Sequence, residues 1–235
     1  MPTPLVIAID GPAGAGKSSV AQKVAARLGL TYVDSGATYR AAALKVLQSG
    51  IPPDDEQHVA KLIAQTEIRI TTDGLQSRVW MDGQEVTEKI RTPEVTLAAA
   101  QVSRLPEVRA KLIAVQRGFA TGRGVVMEGR DIGTVVFPNA ALKIFLKADP
   151  EERARRRLKQ DTKDGRAATL EQTAREIAHR DQLDAERKIS PLVAAADAYQ
   201  IDSTDLLADQ VVEQILDLAR KKGLIETESA RQRPD

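Results

Sequence analysis

The chain has 235 residues, of which 42% are hydrophobic and 29% charged, values typical of a globular α/β domain or of a core with appended segments. Basic and acidic residues nearly balance, 34 against 33, and this net charge of +1 predicts neither a nucleic-acid nor a membrane partner. Because cysteine is absent, disulfides, cysteine-ligated zinc and thiol catalysis are excluded.

Short apolar runs rich in β-forming residues alternate with helical patterns along the chain. The runs are Leu5–Ile9, Thr31–Val33, Val125–Met127, Leu142–Leu146 and Tyr199–Ile201. The helical patterns lie at Thr38–Gln48, Val95–Val102, Val108–Phe119, Glu151–Lys159 and Leu206–Lys221. This alternation predicts an α/β fold, with a parallel sheet covered by helices on both faces. The functional residues of such a sheet are expected at the carboxyl ends of its strands.

A glycine-rich segment directly after the first strand is the most informative motif. It fits the pattern G-x-x-x-x-G-K-[ST], and a helical stripe from Val20 to Leu28 follows it, with Gly29 placed to end the helix. In this motif the backbone N–H groups and the positive end of the helix surround nucleotide phosphates. We expect Lys17 to reach the β- and γ-phosphates and Ser18 to ligate Mg²⁺. The expected phosphate-binding residues are Gly11, Pro12, Ala13, Gly14, Ala15, Gly16, Lys17, Ser18 and Ser19.

Residues from about 66 to 90 follow a different pattern. Alternating or β-rich runs at Glu67–Thr71, Arg78–Met81 and Glu85–Thr87 are separated by Asp-Gly pairs at 73–74 and 82–83. Two such turn signals predict a small antiparallel meander inserted outside the main sheet. The polar segment 226–235 is expected to be a disordered, frayed tail.

Arginines are concentrated in the second half of the chain. Four of them, Arg153, Arg155, Arg156 and Arg157, lie within five residues of one predicted helix, and more follow at 166, 175, 180 and 187. One interpretation is a solvated helix face whose arginines pair with nearby glutamates. The other is a mobile lid whose guanidinium groups stabilise a phosphoryl group in transfer and exclude water from it.

Several long segments closely resemble those of bacterial cytidylate kinases. They are Asp34–Arg40 (Asp-Ser-Gly-Ala-Thr-Tyr-Arg), Glu128–Pro138 (Glu-Gly-Arg-Asp-Ile-Gly-Thr-Val-Val-Phe-Pro), Arg180–Arg187 (Arg-Asp-x-x-Asp-x-x-Arg), Ser190–Leu192 and Ile201–Thr204. The resemblance extends from Ile7 to about Arg220. It implies a P-loop kinase core of about five parallel strands, with a small inserted antiparallel sheet and a short helical lid.

The resemblance also implies a division of the chain into regions. The core comprises 1–34, 122–150 and 188–225, and the nucleoside-monophosphate-binding region comprises 35–121 and includes the meander. The arginine-rich lid and its following helix comprise 151–187. The expected substrates are ATP and CMP or dCMP, with Mg²⁺ as cofactor and without a general base, because the acceptor is an ionised phosphate. We expect a monomer, and the absence of a signal-peptide core or a ~20-residue apolar span favours the cytoplasm.

The family pattern implies roles for individual residues. Arg40, Arg130 and Arg187 match positions that bind the acceptor phosphate, Arg180 and Asp184 match positions near the ribose, and Arg109 and Asp131 match positions that read cytosine. Ser35 and Tyr39 are further candidates for the acceptor site, and Arg156 is one for ATP. The expected catalytic residues are Lys17, Arg130, Arg153, Arg157 and Arg187.

Simpler interpretations stay open for some of these residues. Asp131 or Glu128 is alternatively an outer-shell magnesium carboxylate, Tyr39 a packing residue, and Ser35 a helix cap. Ala100 stands where the family usually has serine, so base discrimination rests on Arg109 and Asp131. Two other functions are a P-loop kinase for another small acceptor, such as UMP, AMP or shikimate, and a non-catalytic ATP-sensing module.

Overall fold

The structure is a computed structural model that describes residues 4–73, 76–122, 124–163, 165–187 and 189–226. Its strands are β1 (Leu5–Asp10), β2 (Thr31–Asp34), β3 (Ile68–Asp73), β4 (Gln76–Met81), β5 (Gln84–Glu85), β6 (Gly124–Gly129), β7 (Leu142–Lys147) and β8 (Tyr199–Asp202). Its helices are α1 (Lys17–Leu28), α2 (Ser35–Ser49), α3 (Glu56–Gln65), α4 (Pro93–Val102), α5 (Pro106–Arg117), α6 (Pro150–Lys163), α7 (Leu170–Ala185) and α8 (Ala208–Lys221).

The central sheet has five parallel strands in the order β2-β6-β1-β7-β8. The middle strand β1 pairs with β6 from Leu5–Gly124 to Asp10–Gly129, and with β7 on its other side. Ile7 and Ile9 pack on α1 and α8, whereas Ala8 faces the core beneath α2, α4 and α5. Both faces are therefore covered, as predicted, and the near-continuous apolar sequence of β1 is typical of such a doubly buried strand.

The inserted sheet is confirmed as an antiparallel meander in the order β3-β4-β5. Its inward residues, including Ile70 and Val79, are buried against α2. The third strand is shorter than predicted, because pairing with β4 is limited to Gln84 and Glu85. The predicted turn at 73–74 includes Gly74, which lies outside the described residues, and so does all but the first residue of the predicted tail.

Several element boundaries differ from the prediction. Helix α2 begins at Ser35 rather than Thr38 because the Asp34 side chain accepts a hydrogen bond from the N–H of Ala37 at 3.3 Å. Helix α8 begins at Ala208 because Leu207 has an extended backbone. Helix α3 is absent from the prediction. Asp55 caps it, and only Val59, Ala60 and Ile63 are buried, a stripe too short to be distinctive.

Within the described ranges, no helix combines the length and the apolar character that a bilayer crossing requires.

Gly124 lies where β6 approaches β1 too closely for any side chain. A Cβ there would lie 2.7 Å from the Leu5 nitrogen, and the Gly124 φ of +128° is unfavourable for other residues. We expect Gly124→Ala to lower the free energy of unfolding by about 3 kcal/mol, measured by urea denaturation, because a central strand must shift. Gly50→Ala is the control, since Gly50 has a φ of +71° but open space around it, and it should cost about 1 kcal/mol. Equal losses would contradict the steric argument.

Candidate active site

The glycine-rich loop between β1 and α1 is packed tightly against the neighbouring elements. Gly14 and Gly16 have φ values of +75° and +88°. A Cβ at Gly14 would lie 2.7 Å from the carbonyl oxygen of Arg153, and one at Gly11 would overlap the carbonyl oxygen of Leu146. The loop therefore packs against β7 and α6 directly before the first turn of α1, and a helix N-terminus favours an anion.

Lys17 is buried at the start of α1 beneath this loop. Its Nζ donates a hydrogen bond of 2.7 Å to the carbonyl oxygen of Pro12. Burial, and next the charge of Arg130, lower the pKa of Lys17 to about 7, while Glu128 acts in the opposite direction. The ammonium group is thus held in a place where a nearby anion stabilises its charged form.

Glu128, at the end of β6, joins this region to the neighbouring strand. Its carboxylate accepts a hydrogen bond of 2.7 Å from the hydroxyl of Tyr32 and interacts with the hydroxyl of Ser18. Burial, and next the charge of Asp34, raise the pKa of Glu128. Hydroxyl and carboxylate oxygens suit Mg²⁺, which keeps several waters and binds few protein groups. Among the described residues, no group of three or more acidic, histidine or cysteine side chains could hold a metal ion.

Asp10 positions the segment that carries Arg130 and Asp131. Its buried carboxylate accepts hydrogen bonds from the N–H groups of Ile132 at 2.8 Å and Gly133 at 2.7 Å. Burial raises the pKa of Asp10 to about 6 despite these two donors. Sequence reasoning missed this residue, although an aspartate at the carboxyl end of the central strand, directly before Gly11, is a usable signal.

A buried polar pocket brings together residues from α2, α5 and the segment after β6. Arg109, only 2% exposed, donates hydrogen bonds to the Asp131 carboxylate and, at 3.1 Å, to the carbonyl oxygen of Ser103. Its guanidinium lies 5.4 Å from the centre of the Tyr39 ring. Among the described residues, the Arg109 Nε has no hydrogen-bond partner, so the pocket retains a buried donor.

Ser35 lies at the boundary between this pocket and the central sheet. Its hydroxyl donates a hydrogen bond of 2.7 Å to the carbonyl oxygen of Glu128. The interpretation of Ser35 as the helix cap is wrong, because Asp34 caps α2. On α4, Ala100 is half-buried, and its carbonyl oxygen accepts a hydrogen bond of 3.0 Å from the hydroxyl of Ser103.

A cluster of arginines lies between the glycine-rich loop and the pocket. Asp184 on α7 accepts from the Arg130 Nε at 2.7 Å and from the Arg187 guanidinium. Arg180, one turn earlier on α7, has its pKa lowered to about 10 by burial and then by the charge of Arg130. Arg40 pairs with Asp34 at 2.6 Å. The cluster thus gathers cations from three separate segments, and their mutual repulsion favours binding of an anion.

The four arginines of α6 point to four different surroundings. Arg153 donates to the carbonyl oxygens of Ala13 and Ala148, both at 3.1 Å, and to Asp181. Arg156 donates to the carbonyl oxygens of Ser203 and Thr204 in the loop after β8.

The other two arginines of this helix lie nearer to solvent. Arg155 is exposed and pairs with Glu151, as the solvated-face interpretation requires. Arg157 pairs with the buried Asp161 at 3.0 Å, and its charge lowers the pKa of Arg180. The solvated-face interpretation therefore holds for Arg155, and the lid interpretation of the other arginines stays a prediction.

A glycine-rich phosphate loop on a five-stranded parallel sheet, faced by clustered arginines, defines a P-loop kinase fold. The family model for cytidylate kinase matches residues 7–221, and the chain belongs to that family. Cytidylate kinase from Pelotomaculum thermopropionicum is 49% identical, over 89% of this chain and 93% of its own length. Cytidylate kinase from Caldanaerobacter subterraneus is 48% identical, over 92% of this chain and 94% of its own length.

The lowered pKa of Lys17 predicts proton uptake when a polyphosphate binds. At pH 8.5 most Lys17 side chains are neutral in the free protein, because their pKa is about 7. A bound polyphosphate raises that pKa, so we expect ATP binding to take up about one proton per site at pH 8.5. Titration calorimetry in buffers of different ionisation enthalpy measures this uptake.

The variant Lys17→Ala should lose this proton uptake. Lys23→Ala, on the exposed side of the same helix and paired with Asp209, is the matched control and should retain it. Uptake that is equal in the two variants would show that another group is responsible.

Proposed function

We propose that this protein transfers the γ-phosphoryl group of MgATP to CMP or dCMP, which yields ADP and CDP or dCDP. The observation that carries the proposal is the arginine cluster between the phosphate loop and the Arg109–Asp131 pocket. Two nucleotides that repel each other must be held in line for phosphoryl transfer, and this requires many cations in one cleft. The names and the high identity of the two relatives support the same activity.

The donor nucleotide is assigned to the loop from Gly11 to Ser19. In this assignment the loop amides and Lys17 bind the phosphates. Arg156 of α6, which donates to the loop after β8, contacts ATP. The Ser18 hydroxyl would hold Mg²⁺, with Glu128 in its outer shell. When bound, Mg²⁺ neutralises phosphate charge and orients the phosphates.

The acceptor is assigned to the pocket and the arginines beside it. Arg40, Arg130 and Arg187 bind the phosphate of CMP, whereas Arg180 and Asp184 lie next to the ribose. Ser35 and Tyr39 complete the acceptor site. An ionised acceptor oxygen attacks the γ-phosphorus directly, the bond from that phosphorus to the β–γ bridging oxygen breaks, and ADP leaves with the electron pair. No proton has to be removed from the acceptor, so no general base is required.

Base recognition is assigned to Asp131 and Arg109. An ionised Asp131 accepts a hydrogen bond from the N4 amino group of cytosine and repels O4 of uracil. The Arg109 guanidinium fixes that carboxylate, and its Nε, which has no partner in the described part of the chain, is available to the base. With Ala100 in place of the family serine, one hydroxyl is missing from this recognition, so dependence on Asp131 is greater.

We also propose that the enzyme works as a cytoplasmic monomer on small molecules, without a nucleic-acid or membrane partner. The near-zero net charge of +1 supports the absence of a polyanionic partner. Light scattering of the purified chain tests the oligomeric state.

The activity is tested by measuring ADP release from MgATP with CMP, dCMP, UMP, AMP and GMP in turn. We expect rapid turnover with CMP and dCMP and poor turnover with UMP. Lys17→Ala should lower kcat by about 10²–10³ while the protein stays folded. Turnover with AMP or UMP above that with CMP would assign the enzyme to another acceptor. ATP binding with no acceptor-dependent turnover would indicate an ATP-sensing module.

The assigned role of Asp131 predicts a change of base preference. Asp131→Asn replaces one acceptor oxygen with an amide that donates to O4 of uracil, so discrimination should weaken. We expect kcat/KM for CMP to fall about 10- to 100-fold, and the ratio of CMP to UMP efficiencies to fall with it. Asp209→Asn, at an exposed ion pair far from the pocket, is the control. An unchanged CMP-to-UMP ratio in Asp131→Asn would refute the assignment.

A further inference from the structure

A carboxylate from α7 is bound to the phosphate loop. Asp181 accepts a hydrogen bond of 3.2 Å from the backbone N–H of Ala13 and a second one from the guanidinium of Arg153. Arg153 also donates to the carbonyl oxygen of Ala13, so the three groups form one compact set. Residue 181 is far from the loop in sequence, and the contact therefore depends on how α7 packs on α6.

Asp181 lies next in sequence to residues of the acceptor cluster. The charge of Arg130 acts on its chain neighbour Arg180, and Asp184, less than a turn further, binds both Arg130 and Arg187. Asp181 and Asp184 are three residues apart on one face of α7, so this face joins the phosphate loop to the acceptor arginines. Under the proposed function, the terminal phosphate of ATP has to lie between the loop and those arginines, since it is the group that is transferred.

A carboxylate and a phosphate use the same partners, because both accept from backbone N–H groups and from guanidinium forks. We propose that Asp181 is a further residue of the donor site, whose carboxylate holds the Ala13 N–H and Arg153 until the terminal phosphate of ATP replaces it. ADP lacks that phosphate and leaves the carboxylate in place. Asp181 thereby sets the relative affinity for ATP and ADP. The inference rests on the proposed function for the identity of the donor nucleotide.

The direction of the effect follows from charge. Asp181 competes with one phosphate group only, so removal of its charge should strengthen binding of ATP and leave binding of ADP nearly unchanged. A carboxylate that merely orients Arg153 makes a different prediction, since its loss would weaken the binding of both nucleotides. The ratio of the two affinities therefore separates a competing carboxylate from a structural one.

The test compares Asp181→Asn with the unmodified protein by titration calorimetry with Mg²⁺ and either ATP or ADP, without an acceptor. We expect the Kd for ATP to fall about tenfold and the Kd for ADP to change less than about twofold. Glu171→Gln is the matched control, because it removes one negative charge from the same helix at an exposed pair with Arg175. It should change neither Kd. Equal changes for ATP and ADP in Asp181→Asn, or weaker binding of both, would overturn the proposal.

A second measurement needs no substitution. The carboxyl ¹³C resonance of Asp181 in the unmodified protein should shift on addition of MgATP and stay in place with MgADP, whether or not Asp181→Asn folds. The same shift with both nucleotides would contradict the exchange.

Turnover of CMP by the unmodified protein separates the two proposals. Turnover without an ATP-specific effect at Asp181 would refute this inference alone. An ATP-specific effect without turnover of CMP would refute the proposed function and leave the role of Asp181 standing.

Discussion

Repulsion among buried cations is the constraint on which the whole cleft depends. Burial, and next the charge of Arg130, lower the pKa values of Lys17 and Arg180, and Arg180 in turn disfavours the charge of Lys17. The protein offsets this repulsion with aspartates from different elements. Asp34 pairs with Arg40, Asp131 with Arg109, Asp181 with Arg153, and Asp184 with Arg130 and Arg187. Each arginine is thereby held in place before any nucleotide binds.

These pairs matter more for position than for stability. A buried ion pair often gains little net free energy, because desolvation of both groups nearly offsets their attraction. Asp184 holds the guanidinium groups of Arg130 and Arg187, which come from separate segments. Asp10, directly before the phosphate loop, holds the backbone that follows Arg130 and Asp131. Catalysis by fixed charges requires this kind of preorganisation, since the groups need not reorient when the phosphoryl group moves.

Local patterns made the fold and the glycine-rich loop predictable. The glycine-rich loop, the buried strands and the meander are each coded within about ten residues, and the structure confirms all three elements. Asp10, by contrast, is marked only by its position at the end of the central strand, directly before Gly11, because its partners are backbone amides of residues 132 and 133 and these leave no spacing pattern in the sequence. The different surroundings of the α6 arginines were not predictable either, since neighbours on a helix point about 100° apart and only tertiary packing decides what each one meets.

Because of that packing, the lid arginines differ in how freely each guanidinium can turn toward the phosphoryl group in transfer. Arg153 already donates to a backbone carbonyl of the phosphate loop, and Arg156 already donates to one in the loop after β8. Arg157 is 42% exposed and pairs with Asp161, and its charge acts on Arg180 inside the acceptor cluster. A guanidinium that is near the acceptor and exposed can turn toward a new anion at little cost. We therefore infer that Arg157 turns toward the transferred group on the acceptor side, whereas Arg153 binds the same group on the donor side, as the terminal phosphate of ATP.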